Sequence, residues 1–162
     1  MIKVLQNHIE LLKKSDQFLS TNSRRLKELN FDDKFLFDNY QYGFGPNIES
    51  LISFWSNPRN FKSCRIAYVE EQNCEINSFI WWVKSFNEKI GKKILIQYIW
   101  LSFDPKNSIR LLNDGLRFAE DNNFDGVVAG NTFENEKLKK FLIKKGFQTD
   151  PEIFYKKIKK KS

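Results

Sequence analysis

Apolar side chains in this chain change their spacing near Arg65, from a helical to a strand-like period. Before that point, Val4, Leu5, Ile9, Leu11 and Leu12 recur at helical intervals and predict a short helix over 4–14. The stretch 20–30 is polar and follows no single period, while 32–42 is aromatic-rich and fits strand or loop. Glycine and proline in Tyr42-Gly43-Phe44-Gly45-Pro46-Asn47 mark a turn. Ile48, Leu51, Ile52 and Trp55 then share one helical face, and Pro58 is expected to end that helix.

From Arg65 onward the pattern predicts strands at 65–70, 75–86 and 93–103, joined by turns at 72–73 and 87–91. Short connections of this kind make an antiparallel meander. The second and third strands are apolar on both faces, which predicts helices on both sides of the sheet. Asp104-Pro105 ends the third strand, and Asn107 or Ser108 is expected to cap a helix running to about Asn122. Ile109, Leu112, Leu116 and Ala119 are its apolar positions. Val127-Val128-Ala129 predicts a buried strand within 125–130, parallel to the third because a helix separates the two. A second amphipathic helix over 134–145 follows, with Gly146 as its left-handed stop. The chain closes with a turn at Asp150-Pro151 and a strand at Ile153-Phe154-Tyr155.

The segment Asn135-Glu136-Lys137-Leu138-Lys139-Lys140-Phe141-Leu142-Ile143-Lys144-Lys145-Gly146-Phe147 narrows this picture. Its spacing resembles the C-terminal signature of the GCN5-related N-acetyltransferase (GNAT) superfamily. There Asn is followed by two residues, Ala, two residues, an apolar residue, Tyr, three residues and Gly-Phe. Phe141 falls on the apolar position, and Leu142 stands where the family has Tyr. With the order of elements, the resemblance covers about 65–158. It implies an α/β fold: a GNAT-like mixed central sheet, antiparallel meander plus parallel strand-helix-strand unit, with helices on both faces. The first 60 residues show no obvious counterpart of the family's first strand, for which 32–42 is the candidate. The whole chain, 1–162, is expected to form one domain ending in a basic tail at 156–162.

The resemblance also implies a chemistry. Acetyl-CoA would lie in a notch between the strands 93–103 and 125–130, its pantetheine arm on free backbone groups of Leu101, Ser102 and Phe103. Its pyrophosphate would meet the helix amides around Asn107, Ser108, Ile109 and Arg110, where the first N–H groups have no internal partner. The Arg110 guanidinium would add a charge-assisted contact. Asn135 matches the Asn that touches the cofactor arm. The reaction is attack of a small-molecule or protein amine on the thioester, with a backbone N–H near Leu101 or Ser102 polarising its oxygen. Tyr98 and Tyr155 are the candidate proton donors in place of Leu142, and the base is Glu75, Asp104 or no residue at all. The family's phosphate loop carries glycines, whereas Asp104-Pro105-Lys106-Asn107-Ser108-Ile109-Arg110 has none.

Bulk properties limit the alternatives. A chain of 162 residues with 16 Phe, 5 Tyr and 4 Trp is too aromatic for a disordered protein. Its net charge of +7 is concentrated in Lys156, Lys157, Lys159, Lys160 and Lys161, a tail expected to be solvated. No basic patch interleaves with a strand or helix, so nucleic acid is an unfavoured partner. Cys64, Cys74 and His8 lack metal or disulfide spacing and are expected to be ordinary side chains. No apolar run suggests a signal peptide or a membrane span, so a cytoplasmic protein is expected. Frequent Asn, Lys, Ile and Phe suggest an AT-rich genome and resemble the acetyltransferase-like proteins of bacteriophages. The alternative expectation is therefore a catalytically inactive GNAT-like binding or structural protein, a virion or host-interaction component. Phe35-Leu36-Phe37 and Trp81-Trp82 would then supply a protein interface.

Overall fold

The computed structural model describes residues 1–28, 48–73, 75–102, 104–130 and 136–149, together with Lys156 and Ile158. A short strand β1 (Ile2–Val4) precedes the long helix α1 (Ile9–Glu28). Two further helices, α2 (Ile48–Trp55) and α3 (Pro58–Phe61), lead into the strands β2 (Cys64–Glu70), β3 (Ile76–Asn87) and β4 (Lys92–Ser102). Then come α4 (Pro105–Asp121), β5 (Gly126–Val128) and α5 (Glu136–Lys144).

The described strands form one five-stranded sheet in sequence order, with β1 to β4 antiparallel and β5 parallel to β4. The meander and the strand-helix-strand unit are thus as expected from the pattern. The N-terminal region is not. The predicted helix at 4–14 is split, because Ile2–Val4 pairs with β2 and Leu5 N–H donates to Ile66 O at 2.9 Å. Helix formation waits until the Asn7 side chain accepts from Glu10 N–H at 3.1 Å, which satisfies an otherwise orphan donor. The helix then runs through the undecided polar stretch as far as Glu28. The first strand of the sheet is therefore Ile2–Val4; the candidate segment 32–42 lies outside the described residues, as does the expected strand at 153–155. Pro58 does end α2, and it also starts α3 behind the Asn57 cap.

Strand alternation sends side chains to two separate cores. Ile66, Phe79, Trp81 and Ile99 meet Leu11 and Phe18 of α1 and Trp55 of α2. Ala67, Val69, Ile80, Trp82 and Leu95 meet Leu111, Leu112 and Ala119 of α4 and Leu142 of α5. Helices lie on both faces, as the two-sided apolar strands require. Trp81 and Trp82 are 1% and 0% exposed, which removes the proposed partner surface at that pair; 35–37 lie outside the described residues. Ile109, expected in the core, is 40% exposed, because α4 instead turns Leu111, Leu112, Gly115 and Ala119 inward. Gly115 is needed there: a Cβ would come within 2.6 Å of Trp82 Cε2.

Candidate active site

The sheet opens between β4 and β5. Parallel pairing joins Ile94 to Gly126, Leu95 to Val127 and Ile96 to Val128, and there β5 stops. β4 continues to Ser102 with β3 on one side and no described strand on the other. At the point of parting, Gln97 Oε1 accepts from Gly130 N–H at 2.7 Å, so a side chain takes over where the ladder ends. One residue later β4 is bulged. Trp81 opposes Ile99 and Trp82 opposes Gln97, leaving Tyr98 extra. A bulge bends and twists the strand that carries it. Packing accounts for its place: the Trp82 indole is fixed against Gly115 on one face, and Trp81 is fixed by Trp55 and Tyr98 on the other.

Tyr98, a candidate proton donor, has its ring edge-on to Trp55 at 5.9 Å and to Trp81 at 5.7 Å. It is part of the α1–α2 core. On the freed stretch of β4, Trp100 Nε1 is buried with no acceptor among the described residues. A buried donor left unpaired is costly, and a bound acceptor would relieve it.

The N-terminus of α4 is capped by its own neighbour. The cap is Asp104 rather than Asn107 or Ser108, with Pro105 in the first helical position. That arrangement is favourable because Asp accepts from a first-turn amide and Pro has no N–H to satisfy. Asp104 Oδ1 accepts from Lys106 N–H at 2.9 Å, and Asp104 O accepts from Ser108 N–H at 3.0 Å. Ser102 Oγ donates to Asp104 O at 2.7 Å and accepts from Asp104 N–H at 3.2 Å.

Behind the cap lies a polar network that the sequence pattern did not single out. Asn107 is 4% exposed, and its Nδ2 donates to Glu71 Oε1 and Asn77 Oδ1, each at 3.2 Å. Asn77 Nδ2 donates to the same Glu71 oxygen at 2.9 Å. Ser78 Oγ, fully buried, lies 2.8 Å from Asn77 Oδ1 and 2.6 Å from Ser102 Oγ. Arg110 Nη1 reaches Asn107 Oδ1 at 3.4 Å. Ser102, expected on the arm side, thus lies in one network with Asn107, expected on the phosphate side; Asn107 is turned inward, and Ile109 and Arg110 of the same group face outward. The Leu101 backbone pairs with Phe79 in the sheet. Phe103, Asn135 and Tyr155 lie outside the described residues. Of the candidate bases, Glu75 is exposed and Asp104 is the cap just described. Gln97, Glu71, Asn77 and Ser78 left one signal in the sequence, a polar residue breaking or flanking an apolar strand.

The helix α5 closes in the way its Gly-Phe pair suggested. Gly146 has φ +96°, its N–H donates to Ile143 O at 3.0 Å, and Phe147 N–H donates to Leu142 O at 3.0 Å. Both bonds and the Phe147–Leu142 contact in the core define a Schellman motif. Leu142 is 7% exposed and packs as core, so no proton can come from this position. Groups with shifted acidity lie elsewhere: burial pushes the Cys64 thiol up to about 12, and burial, then the Glu70 charge, raises Tyr68. Both belong to the α1–α2 core. No cluster of metal-ligating side chains occurs among the described residues, and no described helix is long and apolar enough to cross a membrane.

No protein-family model matches the chain, and no curated protein sequence matches it. Solved structures do. It is similar to a probable acetyltransferase, with TM-score 0.62 and 16% identity over 100% of this chain and 99% of that one. It is similar to an aminoglycoside acetyltransferase from an uncultured soil metagenomic sample in complex with sisomicin, with TM-score 0.64 and 15% identity over 98% and 96%. It is also similar to the ribosomal-protein-alanine N-acetyltransferase of Brucella melitensis biovar Abortus 2308, with TM-score 0.60 and 9% identity over 98% and 99%. The chain has the GNAT fold.

Proposed function

We propose that this protein transfers an acyl group from a pantetheine thioester, such as acetyl-CoA, to an amine. The observation that carries this reading is the fork between β4 and β5, opened at Gln97 and bent by the bulge at Tyr98. Backbone groups without a ladder partner need hydrogen bonds, and an amide-bearing pantetheine arm laid along 97–102 supplies them. A backbone N–H of Leu101 or Ser102, or one re-aimed by the bulge, polarises the thioester oxygen as the amine attacks. The neutral amine gives up its proton and the thiol leaves. A thiol with pKa about 8.5 departs without a strong acid, so Leu142 at the tyrosine position is compatible with turnover. Tyr155 is the remaining candidate donor, and Asn135 the candidate contact to the arm. Arg110, exposed in the second turn of α4, is the side chain suited to a donor phosphate. Structures similar to this one include an aminoglycoside acetyltransferase and a ribosomal-protein-alanine N-acetyltransferase, so small-molecule and protein amines are both candidate acceptors. In this reading 1–162 acts as one domain.

A thermal shift tests the proposal. Acetyl-CoA or acetyl-pantetheine at about 100 times its dissociation constant should stabilise the fold by about 2.7 kcal/mol. For a chain of this size that is a rise of roughly 5–11 °C. No rise with any acyl-pantetheine donor, free or protein-borne, sinks the reading. A second reading, a catalytically silent binding protein, is favoured by Leu142 in the core. A thermal shift without acyl transfer to any of a panel of polyamines, aminoglycosides and peptides would favour it.

A further inference from the structure

We infer that the preferred donor is an acidic carrier protein bearing the acyl-pantetheine arm, not free acyl-CoA. This rests on the acyl-transfer reading above. The N-terminus of α4 offers a phosphate little. Coenzyme A differs from bare pantetheine by its phosphates and adenosine, and a helix N-terminus is the natural seat for phosphate. Here that seat is much reduced. Pro105 has no N–H and the N–H of Lys106 is bound to Asp104 Oδ1, which leaves the Asn107 amide of the first turn. The Asp104 carboxylate also puts a negative charge where a pyrophosphate would lie. The β4 edge along 97–102, which would serve the pantetheine arm, needs none of these amides.

The chain also keeps its positive charge at one end. Ten of the 27 basic residues and three of the 20 acidic ones fall within 136–162, which leaves 17 of each elsewhere. The entire +7 surplus is C-terminal. On α5 it forms a surface. Leu138, Phe141 and Leu142 face the core, while Lys137, Lys139, Lys140 and Lys144 are exposed. No carboxylate of the described residues pairs with Lys139, Lys140 or Lys144. Lys139, Leu142 and Ile143 of α5 line one cavity with Val127 and Val128 of β5, one arm of the fork, so a partner held on α5 stands beside the site.

The chemistry of this face selects the partner. A membrane would need an exposed apolar stripe, and α5 keeps its stripe inward with only Ile143 outside. Nucleic acid is read with stacking aromatics or groove-inserted side chains, and the outer face of α5 carries none. Lysines without hydrophobic anchors fit a transient, charge-steered contact with an acidic protein. A donor that must leave after each turnover requires such a contact. In the reaction the amine nitrogen forms a bond to the thioester carbonyl carbon and the carbon–sulfur bond breaks. The amine proton passes to the departing thiolate, which leaves as the free thiol on the carrier's pantetheine.

The test compares three donors on the full chain: an acetylated acidic acyl-carrier protein, acetyl-CoA and acetyl-pantetheine. Binding is followed calorimetrically, and thiol release is followed with a panel of amines. The carrier should bind at least about tenfold tighter than acetyl-CoA at low salt and lose that advantage at high salt. Lys139→Glu/Lys140→Glu/Lys144→Glu should weaken the carrier by about tenfold or more while leaving acetyl-pantetheine unchanged. The corresponding Gln triple variant should show a smaller loss, and circular dichroism checks that each folds. Tighter binding of acetyl-CoA than of the carrier overturns the inference and leaves acyl transfer standing. So does a triple variant that loses a single-stranded RNA oligonucleotide but keeps the carrier. Failure of all three donors overturns acyl transfer itself.

Discussion

Replacing Asp104 by Asn separates two roles of one side chain. Asn keeps an oxygen that can accept from Lys106 N–H, now held at 2.9 Å, and Asn and Asp cap helices about equally well. Only the charge is lost. Its interaction with the helix dipole is worth about 0.3–1 kcal/mol at an exposed site. The melting temperature should therefore fall by no more than about 2–4 °C. Phosphate binding should respond more strongly. Two unit charges about 6 Å apart interact by about 0.7 kcal/mol in water and about 3 kcal/mol at an effective dielectric of 20. Removing that repulsion should tighten CoA by between about threefold and about a hundredfold. Pantetheine, which has no phosphate, should bind as before. Calorimetric titration of both ligands into both proteins measures the difference. Asp104→Ala is the companion variant: it loses the cap as well, costs about 1 kcal/mol more, and shows whether stability or charge governs the result. Equal CoA affinity in the wild type and a well-folded Asp104→Asn refutes the idea that this carboxylate turns phosphate away from α4.

Four further outcomes follow from the packing. Gly115→Ala pushes a methyl into the Trp82 ring and should destabilise by about 1–3 kcal/mol, less about 1 kcal/mol of helix propensity. Trp82→Phe in the same chain should recover part of the loss, so an additive double-mutant cycle would contradict the contact. Gln97→Ala removes the acceptor of Gly130 N–H, should cost about 1 kcal/mol, and should speed hydrogen exchange at that amide; unchanged exchange would mean the bond does not hold the fork. Gly146→Ala forces a side chain to φ +96° and should cost about 1–2 kcal/mol by denaturant titration, and a neutral result would place the turn in another conformation. The Cys64 thiol ionises near 8.5 when unfolded and at about 12 when folded. Its contribution is complete below the unfolded value and is lost as pH rises toward 12. Cys64→Ala should therefore flatten the alkaline limb of the stability curve, and an identical limb would refute the burial argument.

Much of the fold was legible because its strands and helices sit in consistent patterns. The meander, the crossover to β5 and the Gly146 stop each follow from local spacing and turn residues. The N-terminal strand escaped because Ile2–Val4 is too short for a period and gains its stability only by pairing with β2. The α4 cap was misplaced because three polar candidates, Asp104, Asn107 and Ser108, stand close together. Proline at 105 decides among them, since it fits the first helical position and Asp104 alone precedes it. The fork was implied by resemblance, but its fastening was not. A glutamine inside Ile94-Leu95-Ile96-Gln97-Tyr98-Ile99 has no local reason to be there. Its reason is Gly130, just past the end of β5, which only the tertiary structure brings near.

Trp81 and Trp82 stand next to each other in the chain and back to back across the sheet, each closing a different core. Each core has its own helices. Changes around α1 and α2 therefore use different neighbours from changes around α4 and α5, and their energetic effects should add. Such a molecule can be remodelled by halves: one side of the sheet can diversify in evolution or in a library while the other keeps its inherited packing. The bulge at Tyr98 is where that independence ends, because a shift of either indole moves the same few atoms of β4.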